Sequence, residues 1–256
     1  MFTNEEIINI ALEQSAIDTN CTVENFLSDK NMVVPFKLKD KAKVYYEEPI
    51  VANFVSYGNN VVVSAVHSIR HIVEEYISKY NFQECFEPPY INKLNNGLKD
   101  YGYTICFMAT YYLPDIKSLK MVDCEFETKL LTKNEFANLY SPQWSNALGE
   151  RRKELDVLCV GAYDGDKLIG LSGCEADCDM MWQIGIDVLP EYRRRGVGQN
   201  LTKRLAIEIL KRNKVPFYCC AWSNIPSRKN AIRSGFVPTW VEMTAKCSIT
   251  IDVKQK

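Results

Sequence analysis

The chain has 256 residues with 31 Lys and Arg against 32 Asp and Glu, 46% hydrophobic and 25% charged residues, which excludes a disordered or collagen-like polymer and leaves one large or two small globular domains. No apolar run approaches the ~18 residues of a membrane-spanning helix, and the first residues carry glutamates where an export signal carries Lys or Arg. The expectation is a cytoplasmic protein that engages no membrane, with its ten cysteines as reduced thiols.

In chain order, Thr3-x-x-Glu6 ahead of an apolar run is a capping box and predicts a helix over about 4–16. The segments KVYYEE (43–48) and VVVSAV (61–66) read as strands, and the spacing of Ile69, Ile72, Val73, Tyr76 and Ile77 as an amphipathic helix. NFQECF (81–86) reads as a short strand, 88–102 as a helix closed by Gly102, and 103–114 as a strand. A polar connection follows Pro114 and places a boundary between an accessory domain, 1–118, and a second domain, 119–256. There, 123–131 reads as a strand, and Thr132-x-x-Glu135 heads a helix through Leu139. Asp164-Gly165-Asp166 between apolar runs signals a hairpin over 156–173. A strand ended by Pro190, a helix over Val197–Arg212, a strand over 215–222, a helix over Pro226–Ser234 stopped by Gly235 and a final strand complete the chain. Both halves share the order strand, helix, strand, helix, Gly-aromatic, strand, which suggests a duplication, although that order is also common α/β grammar.

The net charge of −1 conceals an asymmetry: eight basic residues lie between Glu191 and Val215, against Glu191 and Glu208 alone. Such a field favours an anionic ligand such as phosphate. The same stretch holds Arg193-Arg194-Arg195-Gly196-Val197-Gly198, at the junction of a strand and an amphipathic helix. Glycines let a ligand approach the backbone, and the first N–H groups of a helix lack internal partners at the positive end of its dipole. The segment therefore reads as a pyrophosphate cradle. It is not a Walker loop, which needs Gly-Lys-Ser/Thr, nor a dinucleotide fingerprint, which needs a third glycine. Cys174 and Cys178 with Cys219–Cys220 make a poor zinc set, because adjacent strand cysteines point to opposite faces; no metal is expected. A pI of about 6.2 and the lack of an aromatic platform beside the arginines argue against nucleic acid.

Arg193-x-x-Gly196-x-Gly198 after IDVLPEY resembles the acetyl-CoA signature of the GNAT superfamily of N-acetyltransferases. Asn224-x-x-Ser227, followed by Ala231 and Gly235-Phe236, is similar to that superfamily's second cofactor motif, and the likeness covers about 120–250. With its N-terminal extension the chain looks like the bacterial two-domain members of the zwittermicin-resistance type. The resemblance implies an α/β (α+β) fold, a mixed sheet whose strands 181–188 and 216–221 splay apart, and an N-terminal α/β domain readable as a degenerate copy. It implies acetyl-CoA as cofactor, with the pantetheine arm against backbone near Asp187 and Val188. The pyrophosphate would lie on the N–H groups of Arg194, Arg195, Gly196, Val197, Gly198 and Gln199, with the side chains of Arg193, Arg194 and Arg195 adding charge and Asn224 and Ser227 on the far side.

The implied reaction is attack of a primary amine, on a small molecule, amino acid or peptide, upon the thioester. It needs a base, an oxyanion donor and an acid for the leaving thiolate. By resemblance the donor is the Val188 N–H. Many relatives carry an acidic tyrosine seven residues after the motif asparagine; here that position is Ala231, so either Ser227, Tyr218 or a water substitutes, with Ser227 preferred, or the thiolate leaves unassisted. The strand glutamate of some relatives falls on Trp182 or Gln183. Gln183 could hold a water, and Asp187 shares its face; Glu175, Asp177 and Asp179 read as a solvated turn. The missing acid and base leave a non-catalytic acyl-CoA-binding module as the alternative, and a homodimer is allowed.

Overall fold

At the N-terminus the capping box is formed as expected: the Thr3 N–H donates to Glu6 Oε2 (2.7 Å) and the Glu6 N–H to Thr3 Oγ1 (3.2 Å). The helix it opens, α1, spans Asn4–Asp18. The structure, a computed structural model, describes residues 2–43, 50–121 and 123–248. After α1 come α2 (Val23–Leu27), β1 (Met32–Pro35), β2 (Ile50–Ser56), β3 (Val62–Ala65), α3 (Arg70–Lys79), α4 (Pro88–Lys99) and β4 (Tyr103–Pro114). They are followed by β5 (Glu127–Leu131), α5 (Lys133–Phe136), β6 (Asp156–Asp164), β7 (Lys167–Glu175), β8 (Met181–Val188), α6 (Val197–Leu210), β9 (Val215–Ala221), α7 (Ile225–Arg233) and β10 (Phe236–Cys247).

Two compact units result. One comprises the chain up to Ile10 with Tyr112–Pro238, the other Ala11–Tyr111 with the segment from Thr239 onward, so the chain changes unit within α1, β4 and β10. Besides the crossing at 111/112, the two end segments each belong with the unit distant in sequence.

In the unit around Ala11–Tyr111, β2 pairs antiparallel with both β3 and β10, and β1 runs parallel to β3. Every residue of β2 is buried, so it shows no polar alternation. Helices α3 and α4 turn Val73, Tyr76 and Ile77, and Ile91, Leu94 and Leu98, inward. NFQECF is not the strand the sequence suggests but ends in a 3₁₀ turn at Glu84–Phe86. Asn81 Oδ1 accepts the N–H groups of Gln83 and Glu84, and Glu84 Oε2 accepts the Asn81 N–H. These side chains satisfy the backbone locally and divert it from a ladder. KVYYEE lies, after Lys43, outside the described residues.

In the other unit the strand order is β5-β6-β7-β8-β9. The first four are antiparallel neighbours, and β9 runs parallel to β8. The hairpin is where Asp-Gly-Asp places it, Asp164 opposite Lys167, with Gly165 at φ +58°. Leu201, Leu205 and Ile209 of α6 are buried on the sheet, and glycine at 170 allows the approach, since a Cβ there would press on Val197 and Leu201. The other face of β7 and β8 is covered by the segment after α5. Trp144, Ala147 and Leu148 join Phe136, Cys159 and Leu171 in one apolar cluster. Helix α5 stops at Phe136, short of Leu139.

Candidate active site

Strands β8 and β9 pair only from Met181↔Val215 to Ile184↔Tyr218, yet β8 continues to Val188 and β9 to Ala221. Beyond Ile184 the two strands part. This is the splay the resemblance implies. The ladder shows which backbone groups face the gap. The Leu189 N–H donates to the Ile169 carbonyl, which makes Gly170↔Val188 a non-hydrogen-bonded pair. Val188 therefore turns its N–H and C=O away from β7, and by alternation Ile186 does the same. The backbone of Asp187 faces β7, so the open groups are those of Ile186 and Val188 rather than Asp187 and Val188.

At the end of β8 the chain makes a short 3₁₀ turn, Pro190–Tyr192, then two left-handed residues, Arg194 (φ +63°) and Gly196 (φ +80°), before α6 begins. A Cβ on Gly196 would meet nothing within 4 Å, so the concavity above this turn is open. The Asn200 N–H already bonds the Gly196 carbonyl, so the N–H groups of Val197, Gly198 and Gln199 are those that the helix leaves unused. The equivalent junction of the other unit, β3 to α3, has no positive-φ residue. Gly198 serves packing: a Cβ there would sit 3.0 Å from Asn230 Oδ1 and 3.6 Å from Val188 Cγ2.

The three arginines differ. The Arg193 Nε donates to the Val188 carbonyl (3.0 Å). Arg195 pairs with Glu125 (2.7 Å) and lies over the Phe126 ring at 4.6 Å. Arg194 is exposed and makes no hydrogen bond or ion pair to a described residue. Gln199 turns its amide to the Arg233 carbonyl and so ties α6 to α7.

Asn224 caps α7, accepting the Ser227 N–H at 3.2 Å, and Pro226 sits in the first turn. The Ser227 hydroxyl is 2.7 Å from the Tyr218 hydroxyl, so the two acid candidates form one pair at the point where β8 and β9 separate. Burial pushes the Tyr218 phenol up to about 12, against the pull of its bond to Ser227. Ala231, where relatives carry tyrosine, is buried.

On the opposite face of β8, Gln183, Gly185 and Asp187 alternate toward the segment after α5. Asp187 accepts three bonds from it: the Asn146 N–H (2.8 Å), the Asn146 Nδ2 (2.7 Å) and the Ala147 N–H (3.0 Å). Gly185 and Gly173 let this segment lie on the sheet, since a Cβ on either would collide with the Asn146 or Ala147 carbonyl. The Gln183 side chain makes no hydrogen bond to a described residue. Directly opposite it on β7 stands Glu175. It is 13% exposed, paired through Oε2 with Arg152 Nη2 at 2.7 Å, and not the solvated turn residue its sequence context suggests. Burial pushes its carboxyl up to about 7, Arg152 pulling it down and Asp177, Asp156 and Glu154 pushing it further up.

All ten cysteines are free thiols. Among the described residues no group of three or more acidic, histidine or cysteine side chains could hold a metal ion, and no helix is long and apolar enough to cross a membrane.

No curated protein matches the sequence. Similar solved structures include a GCN5-related N-acetyltransferase-like protein from Streptococcus suis (16% identity, 62% of this chain and 68% of that one, TM-score 0.46). An acetyltransferase from the GNAT family of Colwellia psychrerythraea is also similar (13%, 60% and 61%, 0.44). So is a tandem GNAT protein from the clavulanic acid biosynthesis pathway (14%, 59% and 57%, 0.42). The chain thus spans between 57% and 68% of the length of these three proteins. The model of the acetyltransferase (GNAT) family matches residues 124–236, the stretch holding the splayed strands, the Gly196 turn and the α7 cap. Over residues 124–236 the chain is therefore similar to the GNAT family of acetyltransferases, whose acetyl donor is acetyl-CoA.

Proposed function

We propose that this protein transfers an acetyl group from acetyl-CoA to a primary amine of a small molecule, amino acid or peptide. The observation that carries the reading is the parting of β8 and β9 beyond Ile184↔Tyr218 with the open Gly196 turn at its mouth. The residues fit the cofactor. The N–H groups of Val197, Gly198 and Gln199, with the Arg194 guanidinium, would hold the pyrophosphate. The N–H and C=O groups of Ile186 would bind a pantetheine amide. When bound, acetyl-CoA supplies an acetyl group activated on sulfur.

The remaining roles belong to the chain. The Val188 N–H is directed into the gap and can donate to a carbonyl oxygen as negative charge grows on it. Arg193 holds the Val188 carbonyl, in the following peptide unit, and so steadies the end of β8. Tyr218 and Ser227 form a short proton path: with its phenol raised to about 12, Tyr218 stays protonated at neutral pH and can resupply a proton lost from Ser227 Oγ. Asp187 fixes the Asn146–Ala147 segment over Gly185, and Gln183 offers a free amide for a water.

Replacing Gly196 by Glu puts a side chain and a negative charge into the open turn at φ +80°. Affinity for acetyl-CoA, read by calorimetry, is expected to fall at least about 100-fold, the ~3 kcal/mol that one opposed charge and one strained residue supply. Unchanged affinity would refute the cofactor placement.

A further inference from the structure

Amine attack requires a group that takes a proton from the ammonium, and β8 supplies none: positions 182 and 183 are Trp and Gln, and the Asp187 carboxylate is occupied by three bonds from the Asn146–Ala147 segment. We propose that Glu175, on the neighbouring strand β7, is the general base for the acceptor amine, a role that rests on the acetyl-transfer reading above.

Register places it there. Glu175 and Gln183 are direct partners in the antiparallel ladder, so their side chains share one face with Cβ atoms about 5 Å apart. Strand β8 then presents a neutral amide while the carboxylate stands one strand over. The neighbourhood is built around that carboxylate. Gly149 lies against Oε1, and a Cβ at 149 would occupy the same space. Arg152 fixes Oε2 from the rim, its own side chain 36% exposed. The charged groups facing Glu175 are Arg152 and Glu154 from the segment before β6, Asp156 from β6 and Asp177 from the turn after β7. Three of these four are acidic, so a cationic amine is attracted to the face on which Glu175 lies. A carboxyl at about 7 is half ionised at neutral pH, the condition for proton exchange in either direction.

The step balances. An N–H bond of the ammonium breaks and its proton passes, through a water on the Gln183 amide, to the Glu175 carboxylate. The freed lone pair forms the N–C bond as the C–S bond breaks, and the sulfur takes a proton from Ser227. The nitrogen sheds its surplus proton to solvent, Ser227 regains one from solvent through Tyr218, and Glu175 releases its own to solvent.

The test uses the full chain with Glu175→Gln, which keeps the bond to Arg152. Acetyl-CoA affinity should stay within about twofold of wild type, because Glu175 lies on the face away from the Gly196 turn. Against an amino acid, a peptide N-terminus and a diamine, kcat should fall about 100-fold, and the limb of kcat/KM near pH 7 should vanish. Moving the carboxylate across the ladder, in Glu175→Gln with Gln183→Glu, should restore at least tenfold of the loss. Carbon-13 titration of the Glu175 carboxyl in the ligand-free wild type should show a midpoint near 7. Turnover of Glu175→Gln within threefold of wild type, a retained limb, or a carboxyl midpoint in the usual range below 5 would overturn the assignment. A wild-type protein that does not bind acetyl-CoA fails the acetyl-transfer reading instead, which separates the two failures.

Discussion

Each unit buries carboxylates against one cation, and the two clusters are built to opposite ends. In the unit around Ala11–Tyr111, the Lys43 ammonium lies 3.1 Å from Asp18 and 3.7 Å from Glu242, with exposures of 1%, 1% and 2%. The Tyr111 and Trp240 rings flank the ammonium at 5.7 and 5.6 Å. The Lys43 N–H and the Gln14 amide also donate to Asp18, and the Trp240 indole donates to Glu242. In the unit around Tyr112–Pro238, Arg152 meets Glu175 and Asp177 from the rim, and Tyr140 and the Gly149 N–H hold Asp156. The first cluster is closed on every side by protein; the second keeps its cation at the surface. Closure turns a buried charge into an element of structure, because no water can replace a lost partner. An open rim leaves the charge exchangeable, which a proton-handling site requires.

The comparison breaks most visibly at Lys43. Lys43→Met removes the ammonium and leaves Asp18 and Glu242 facing one another without water. Burial already holds the Asp18 carboxyl above its usual range despite the Lys43 charge. The expected loss is about 3–5 kcal/mol in urea unfolding. Adding Glu242→Gln should return part of it by removing one of the stranded charges. A loss below about 1 kcal/mol would mean that the cluster is not closed.

Next in size is a pH effect at Glu175. Its folded pKa stands above its unfolded value, so the folded state binds the extra proton between pH 4.5 and about 7. Stability therefore falls as pH rises through that window, by on the order of 3 kcal/mol from this group. Glu175→Gln should flatten this decline and leave the part due to Asp156, whose carboxyl burial also raises. An unchanged slope would show that Glu175 titrates as an exposed carboxylate.

How much of this was legible in the sequence depends on range. Gly196, the hairpin at Gly165 and the caps at Thr3 and Asn224 are local devices, and the sequence announces each of them. The parting of β8 and β9 was reached through the motif resemblance alone, since periodicity carries no information about where a ladder ends. Tyr218 and Ser227 were both named as acids, but their pairing requires β9 and α7 to meet. Glu175 reads from sequence as part of a solvated turn because residues 174–178, Cys-Glu-Ala-Asp-Cys, are short and polar. Its burial comes from the chain around Gly149 folding back over it, and Gly149 is the one local signal that could have hinted at it. Asp187, singled out as an acid on a core strand, is a true anomaly, and its answer lies forty residues away at Asn146 and Ala147. The uniformly buried β2 is illegible for the opposite reason: a strand buried on both faces, here with Asn53 and Ser56 inside, has no polar alternation to read.

The smallest effect sharpens the contrast most. Arg152→Met removes the cation of the open cluster, as Lys43→Met does in the closed one. At the rim, water can reach the vacated space, and Glu175 can relieve its lost partner by taking a proton. The stability cost at pH 6 is therefore expected at about 1 kcal/mol, several-fold below that at Lys43. The arginine is also the one charge pulling the Glu175 carboxyl down, against three acidic neighbours pushing it up. Its removal should move the carboxyl midpoint above 7 in a carbon-13 titration and shift the alkaline arm of the stability curve the same way. A large stability loss with no movement of the midpoint would make Arg152 a structural cation like Lys43, and the two clusters would then be alike.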